Sequence, residues 1–157
     1  RLPAEMYFVV GAIAQYIGAA WAVKTFEELD ALATELGGSH CGAVPASALG
    51  SMSLAQRYTD AHLAEALVRA AEKHDGAFLL AGNGHVRADR AVPWHVRQLA
   101  PKRKVVAVML LEVTDGENDA STYLTRAPDG TAVADYVMFT PRQPRPDPCE
   151  KMRQGKP

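Results

Sequence analysis

The residues best placed to do chemistry lie in one stretch, AGNGHVRADRAVPWH, residues 81 to 95. Gly82, Asn83 and Gly84 permit a tight turn with close backbone approach to a ligand, and His85 can then point into the crevice as a metal ligand, hydrogen-bond donor or acid/base. Arg87 and Arg90 add positive charge suited to carboxylates or phosphates. A G-x-x-H on its own is equally a turn whose histidine satisfies backbone groups. A second set sits upstream. Gln56 and Asp60 are four apart, so on a helix they share a face, and Tyr58 lies between them on an apolar stripe. Gln56 is equally explained as part of a capping box with Ser53, Asp60 as a solvated position, and Tyr58 as a core residue. Of the other histidines, His40 follows Gly37 and Gly38 in a second G-x-x-H, His62 reads as solvated, His74 suits a helix end, and His95 packs behind Trp94 near the loop.

Other chemistries are excluded by what is missing. The glycines of the loop are not followed by the lysine and hydroxyl of a phosphate loop, and no G-x-S-x-G, H-E-x-x-H or C-x-x-C is present. Basic stripes interleaved with aromatic residues are absent too, so nucleic acid is not the expected partner.

These residues need elements to hold them. Residues 25 to 36 predict a short amphipathic helix, capped by Thr25 and stopped by Gly37 and Gly38. Residues 53 to 74 predict the clearest helix, starting at Ser53 with Gln56 at its third position, carrying the stripe Leu54, Tyr58, Ala61, Ala64, Leu67, Val68 and Ala71. Asp75 and Gly76 end it. The apolar run 77 to 82 and VVAVMLLEV, 105 to 113, read as strands buried on both faces, joined by a loop and a helix from Pro93 to before Pro101. A right-handed crossover would lay these two strands parallel. Residues 114 to 134 are polar and read as a mobile loop, and YVMFT, 136 to 140, as an edge strand. The fold class is therefore α/β, a partial and mostly parallel sheet flanked by helices, with an extended proline-rich C-terminal tail. Because a ligand in such a sheet sits beyond the carboxyl ends of the strands, the 82 to 85 loop falls where a site belongs.

Composition agrees with one globular domain: 157 residues, 48% hydrophobic, 17 basic against 18 acidic groups, net charge -1. The chain is too apolar for disorder and too near neutral to bind nucleic acid by charge. The ends differ from the centre. Residues 6 to 23 carry no charge, which sets this 18-residue run at the lower limit for a membrane span, though a buried core segment is the preferred reading. Residues 1 to 24 thus form an apolar N-terminal segment, 25 to 140 the α/β domain, and 141 to 157 a basic, proline-rich tail.

Four segments together resemble a known family: SHCG at 39 to 42, AQRYTDAHLAEAL at 55 to 67, LLAGNGHVRADRAVPWHV at 79 to 96, and YVMFTPRQPRPDPC at 136 to 149. They are similar to the C-terminal half of the ChaN-like haem-binding uptake proteins of the Tiki superfamily, over about residues 28 to 149. Where the family helix usually has Arg before its Asp, this chain has Thr59, and Ala91 replaces the first glycine of a Gly-Val-Pro. The resemblance implies an α/β fold, haem bound at a homodimer interface with iron held by a tyrosine and a histidine nearby, and a role in iron uptake at the bacterial cell envelope, often as a lipoprotein. Carried onto this sequence, the cofactor-binding set is His85, Tyr58, Gly82, Asn83, Gly84, Arg87, Arg90, Gln56 and Asp60. Tyr58 or His85 would be on the iron, and Arg87 or Arg90 on the propionates. The chain is expected to be a binding protein rather than an enzyme. Two alternatives stand beside it: a metal-dependent hydrolase of the wider superfamily, in which His85 would help hold a divalent metal, and an inactive partial domain.

Cys41 and Cys149 are the only cysteines. In a reducing cytoplasm they would stay free thiols. In the oxidising periplasm or envelope they would form a disulfide pinning the tail to the loop after the first helix, and this is the preferred reading.

Overall fold

The computed structural model describes residues 26–153. The apolar run 6 to 23 and the Thr25 cap lie outside the described residues. Among the described residues, no helix is long and apolar enough to cross a membrane.

The chain divides into two compact units, Arg1–Arg57 with Pro144–Pro157, and Tyr58–Gln143. In the first, helix α1 spans Phe26–Ser39 and buries Leu29 and Leu32. It runs through Gly37 and Gly38 rather than stopping there. Gly37 faces Leu49 with room for no more than ordinary contact, and the helix ends where Cys41 and Gly42 take φ values of 61° and 67°. At that point the Cys41 and Gly42 amides donate back to the Gly38 and Gly37 carbonyls, the left-handed C-terminal turn that spares the last carbonyls from going unpaired. Cys41 is bonded to Cys149 with Cα atoms 5.4 Å apart, so the disulfide expected from the sequence is present. It closes a span of 108 residues, and on chain-entropy grounds a loop of this size gains about 4–5 kcal/mol. The tail has no helix or strand through 141 to 147 and then forms helix α5, Pro148–Arg153, with Pro148 at its first position, where a missing N–H costs nothing.

Helix α2 spans Ala46–Lys73 and begins seven residues earlier than Ser53. The expected capping box is therefore not the start of the helix. Alanine, leucine and methionine in ASALGSM favour helix strongly enough to carry it back to Ala46. Ser53 is instead interior, 2% exposed, and satisfies its hydroxyl by donating to the Leu49 carbonyl.

The second unit is built around the remainder of α2. Ala64 on its stripe packs with Val92 and Val96, and Leu63, Leu67, Val68, Leu79 and Val105 close around them. Val92 and Val96 belong to helix α4, Val92–Leu99, which starts at the proline expected and ends before Pro101. Strand β1 spans Val108–Glu112 and strand β2 spans Tyr136–Thr140, paired parallel in a two-stranded sheet with Val108 opposite Tyr136 and Leu110 opposite Met138. The α/β class holds, but the parallel partner of β1 is β2 and not the 77 to 82 run. Among the described residues that run joins no ladder, and Phe78 and Leu80 are 87% and 77% exposed, so it is not a strand covered on both faces there.

The 114 to 134 loop is organised by its own side chains. Asp119 accepts the Ser121 amide at the head of a 3-10 turn, Ala120–Tyr123, and this bond holds the Asp119 carboxyl below the usual carboxylate range. Arg126 and Ala132 form an antiparallel bridge, and Ala127 and Val133 are buried.

Candidate functional site

Gly82 leaves the extended run at φ -62°, ψ 151°, and the chain turns at once into a single helical turn, α3, Asn83–Val86. The His85 amide closes that turn on the Gly82 carbonyl at 2.9 Å. Asn83 anchors it: its amide nitrogen donates to the Leu110 carbonyl of β1 at 2.8 Å. In β1, Leu111 and the residues flanking the strand at 107 and 113 bond towards β2, so by alternation the Leu110 carbonyl lies on the opposite edge, which Asn83 takes up. The turn is thereby fixed to the sheet by a side chain rather than by a ladder.

His85 is the side chain this turn presents. Its Nδ1 lies 2.6 Å from an Asp60 carboxylate oxygen on α2. The Asp60 side chain is 3% exposed and that of His85 27%, so the carboxylate is inside and the imidazole at the rim. An ionised carboxylate only accepts, so Nδ1 carries the hydrogen of this bond. This is the arrangement by which proteins orient a histidine for metal ligation, a carboxylate behind one ring nitrogen and the metal before the other. The sequence reading of Asp60 as a solvated residue is overturned, because it is buried against His85.

The two arginines of the loop are drawn inward. Arg87 makes a bidentate pair with Asp89, Nε to Oδ1 at 3.1 Å and Nη2 to Oδ2 at 2.9 Å, and Arg90 Nη1 is 3.7 Å from the same carboxylate. All three residues are buried. Asp89 was not among the residues singled out from the sequence, although the alternation of charge in R-A-D-R was a visible sign of a carboxylate between two guanidiniums. Asp135 was missed for a different reason: it comes from the far end of the loop before β2. It accepts from Arg97 Nη2 at 3.2 Å and from the Ala107 amide at 2.7 Å, while Arg97 Nη1 holds the Ala88 carbonyl. The segment after His85 is thus tied to β1 and to the start of β2 by charged hydrogen bonds.

The remaining candidates are not gathered here. Tyr58 and Asp60 are two positions apart on a helix, roughly 200° around its axis, so the phenol points away from the Asp60–His85 pair. Tyr58 is 44% exposed instead of lying in the core, and its ring meets that of His62 edge-on at 4.3 Å. His62 is half exposed, with Glu65 3.7 Å from its Nδ1. Gln56 is half-buried and belongs to the first compact unit. His95 is 4% exposed beside the Trp94 ring, and His40 bonds the Leu36 carbonyl at the end of α1. A cleft of about 340 Å³ exists at the opposite end of the 114 to 134 loop, lined by Val113, Thr114, Tyr123 and Phe139 among others, and holds none of the candidate residues.

A family model described as haem-binding uptake, Tiki superfamily, ChaN, matches residues 14–96, more than half of the chain. The chain belongs to this family. No curated protein and no solved structure matches it. Within the haem-binding uptake family match lie Asp60, the Gly82–His85 turn, Arg87, Asp89 and Arg90, whereas β1 and β2 fall beyond its end at residue 96. The match and the resemblance seen in the sequence therefore share the α2 helix and the glycine loop, the part of the molecule that carries the site.

Proposed function

We propose that this chain binds haem at the bacterial cell envelope, as a homodimer serving haem and iron uptake, with His85 as a ligand to the iron. The observation that carries this reading is the 2.6 Å bond from His85 Nδ1 to the buried Asp60 carboxylate, which orients the imidazole at the glycine turn. Imidazole is a common axial ligand of haem iron, and the donor chemistry of the turn fits that group. When bound, haem supplies an iron centre and two carboxylates. This chain's own residues do the holding: Gly82 and Gly84 keep the backbone close, Asn83 fixes the turn to β1, and Asp60 sets the ring. Arg87 and Arg90 are candidate propionate partners, with the Asp89 carboxylate already between them.

Envelope localisation, in the periplasm or as a membrane-anchored lipoprotein, is supported by the Cys41–Cys149 bond, since disulfides persist in oxidising compartments. A thiol titration of the unfolded, unreduced protein should find no free thiol; two would remove this support. Haem titration tests the reading as a whole, with a saturable Soret shift expected for the full chain. Tyr58 is the other candidate ligand, and Tyr58→Phe separates the two: it should leave the spectrum intact if His85 is on the iron.

A metal-dependent hydrolase is the second reading, because the same oriented His85 would serve a divalent metal. Among the described residues, no group of three His, Cys, Asp or Glu is placed to hold one. Stoichiometric transition metal in the purified protein, lost on His85→Ala, would favour this reading over haem.

A further inference from the structure

The two parallel strands end beside each other, and the chain that leaves β1 encloses a cleft there. Val113 carries the pairing one residue past β1, its amide donating to the Thr140 carbonyl at 3.0 Å. A tight turn follows at once. The Glu117 amide closes on the Thr114 carbonyl at 3.0 Å, and Gly116 takes a φ of 82°, which suits glycine at the third position of such a turn. The Tyr123 hydroxyl clamps both ends of the turn, accepting from the Thr114 amide at 2.7 Å and donating to the Glu117 carbonyl at 3.3 Å. Between the turn, Tyr123 and Phe139 lies the cleft of about 340 Å³, lined also by Val113, Asp115, Glu117 and Asn118. Sites that take small molecules start at about 300 Å³, so the cleft has room for one. It lies outside the carboxyl ends of parallel strands, where α/β sheets bind ligands, and its residues come after residue 96, where the family match ends.

The walls differ in chemistry. On one side the Tyr123 and Phe139 rings meet edge to face at 5.4 Å. The phenol has given its proton to Glu117, so this side offers ring surface and no donor. On the other side stand carboxylates. Glu117 Oε1 accepts the Asp119 amide at 2.8 Å, and among the described residues its other oxygen accepts no hydrogen bond. The Asp115 side chain is 88% exposed, with Arg142 Nη1 4.0 Å from its Oδ2. An ion pair exposed on both sides is weak in water, so this one can be exchanged. Aromatic rings attract a cation through their negative faces, and carboxylates at the rim attract the same charge. An anion would be repelled, and a neutral ligand would gain from the rings alone. Arg142, drawn to the rim from just past β2, is itself a cation.

We infer that this cleft is a binding site for a small organic ammonium ion, a primary amine with an aromatic or apolar body. The body lies on the Tyr123 and Phe139 rings, and the ammonium group is held at the rim by the Asp115 and Glu117 carboxylates. An ammonium carries several donors and no acceptor, which matches two carboxylates, and bonds between ionised partners are the strong ones. Arg142 competes for Asp115 and is displaced when the amine binds. The inference goes beyond haem binding and does not rest on it, since no residue of the cleft belongs to the Asp60–His85 pair or to the turn that presents it.

Titration of the full chain, without haem, with phenethylamine tests it, followed by NMR of the backbone amides and the Tyr123 ring. Phenethyl alcohol, of the same size and shape without the charge, is the control. The amine should bind saturably with a Kd on the order of 1 mM, the scale open to a ligand of about nine non-hydrogen atoms, with shifts centred on residues 114 to 123. The alcohol should bind at least about tenfold more weakly, because it cannot form the bonds between ionised partners. Asp115→Asn with Glu117→Gln keeps the shape of the rim and removes its charge, and should weaken the amine about tenfold while leaving the alcohol unchanged. Arg142→Gln removes the competitor and should tighten the amine by up to about fivefold, the scale of an exposed ion pair. Circular dichroism checks that each variant folds. Equal binding of amine and alcohol overturns the inference, as does amine binding that is unmoved in the folded double variant or weakened by Arg142→Gln. So does the absence of a saturable shift at residues 114 to 123 up to about 20 mM amine. Every readout is taken without haem, so failure here is distinct from failure of the haem reading.

Discussion

The segment after His85 and the outer face of the sheet invert each other. Between Arg87 and Arg90 three charged side chains are buried together, while from Val106 to Leu110 and from Tyr136 to Met138 large apolar side chains stand in solvent. Charges are buried when something must be held in one arrangement, since an unpaired one is costly and a paired one tolerates few alternatives. Apolar groups left in water gain by being covered, and on a flat sheet this gain favours a partner without fixing the backbone. The first region is therefore rigid by its internal bonds, and the second is unfinished until something meets it.

The largest effect that separates them is expected at Asp89. Asp89→Ala leaves two buried guanidiniums without their shared carboxylate and should cost about 3–5 kcal/mol in denaturant unfolding. Little loss there would mean that the pair is solvated and the contrast false. Asp60→Asn comes next. It keeps the size of the side chain while removing the charge behind His85, and loss of such a partner typically weakens a metal ligand by about 10–100-fold. A haem affinity unchanged by this variant would detach Asp60 from the site. On the sheet, Phe78→Ser should change the stability of the monomer by no more than about 0.5 kcal/mol, because the ring is 87% exposed. A larger loss would show that the face is already packed within the chain.

What was legible in the sequence follows the range of the interactions. The α4 helix from Pro93 and the β2 strand at 136 to 140 were read with their bounds nearly correct, because a proline and a short β-branched and aromatic run act locally. The start of α2 was misplaced because Ser53 looks like a cap, and only the Leu49 carbonyl one turn earlier reveals it as interior. Gly37 and Gly38 misled in the same way, since the left-handed residues that end α1 are Cys41 and Gly42. Residues 77 to 82 have the composition of a buried strand, but no pattern states which neighbour will supply the ladder, and among the described residues none does. At the site, His85 and Asp60 were both named, yet the bond between them spans 25 residues and depends on where α2 passes the turn. Asp89 and Asp135 were missed because their roles come from partners, not from their own spacing.

The claim on which the functional reading depends is that His85, set by Asp60, meets haem iron. Haem titration of wild type against His85→Ala, followed by the Soret band, tests it most directly. Wild type should bind saturably with a shifted Soret band, and His85→Ala should lose that shift and bind at least about tenfold more weakly. An identical Soret band and affinity in a folded His85→Ala protein would contradict the account.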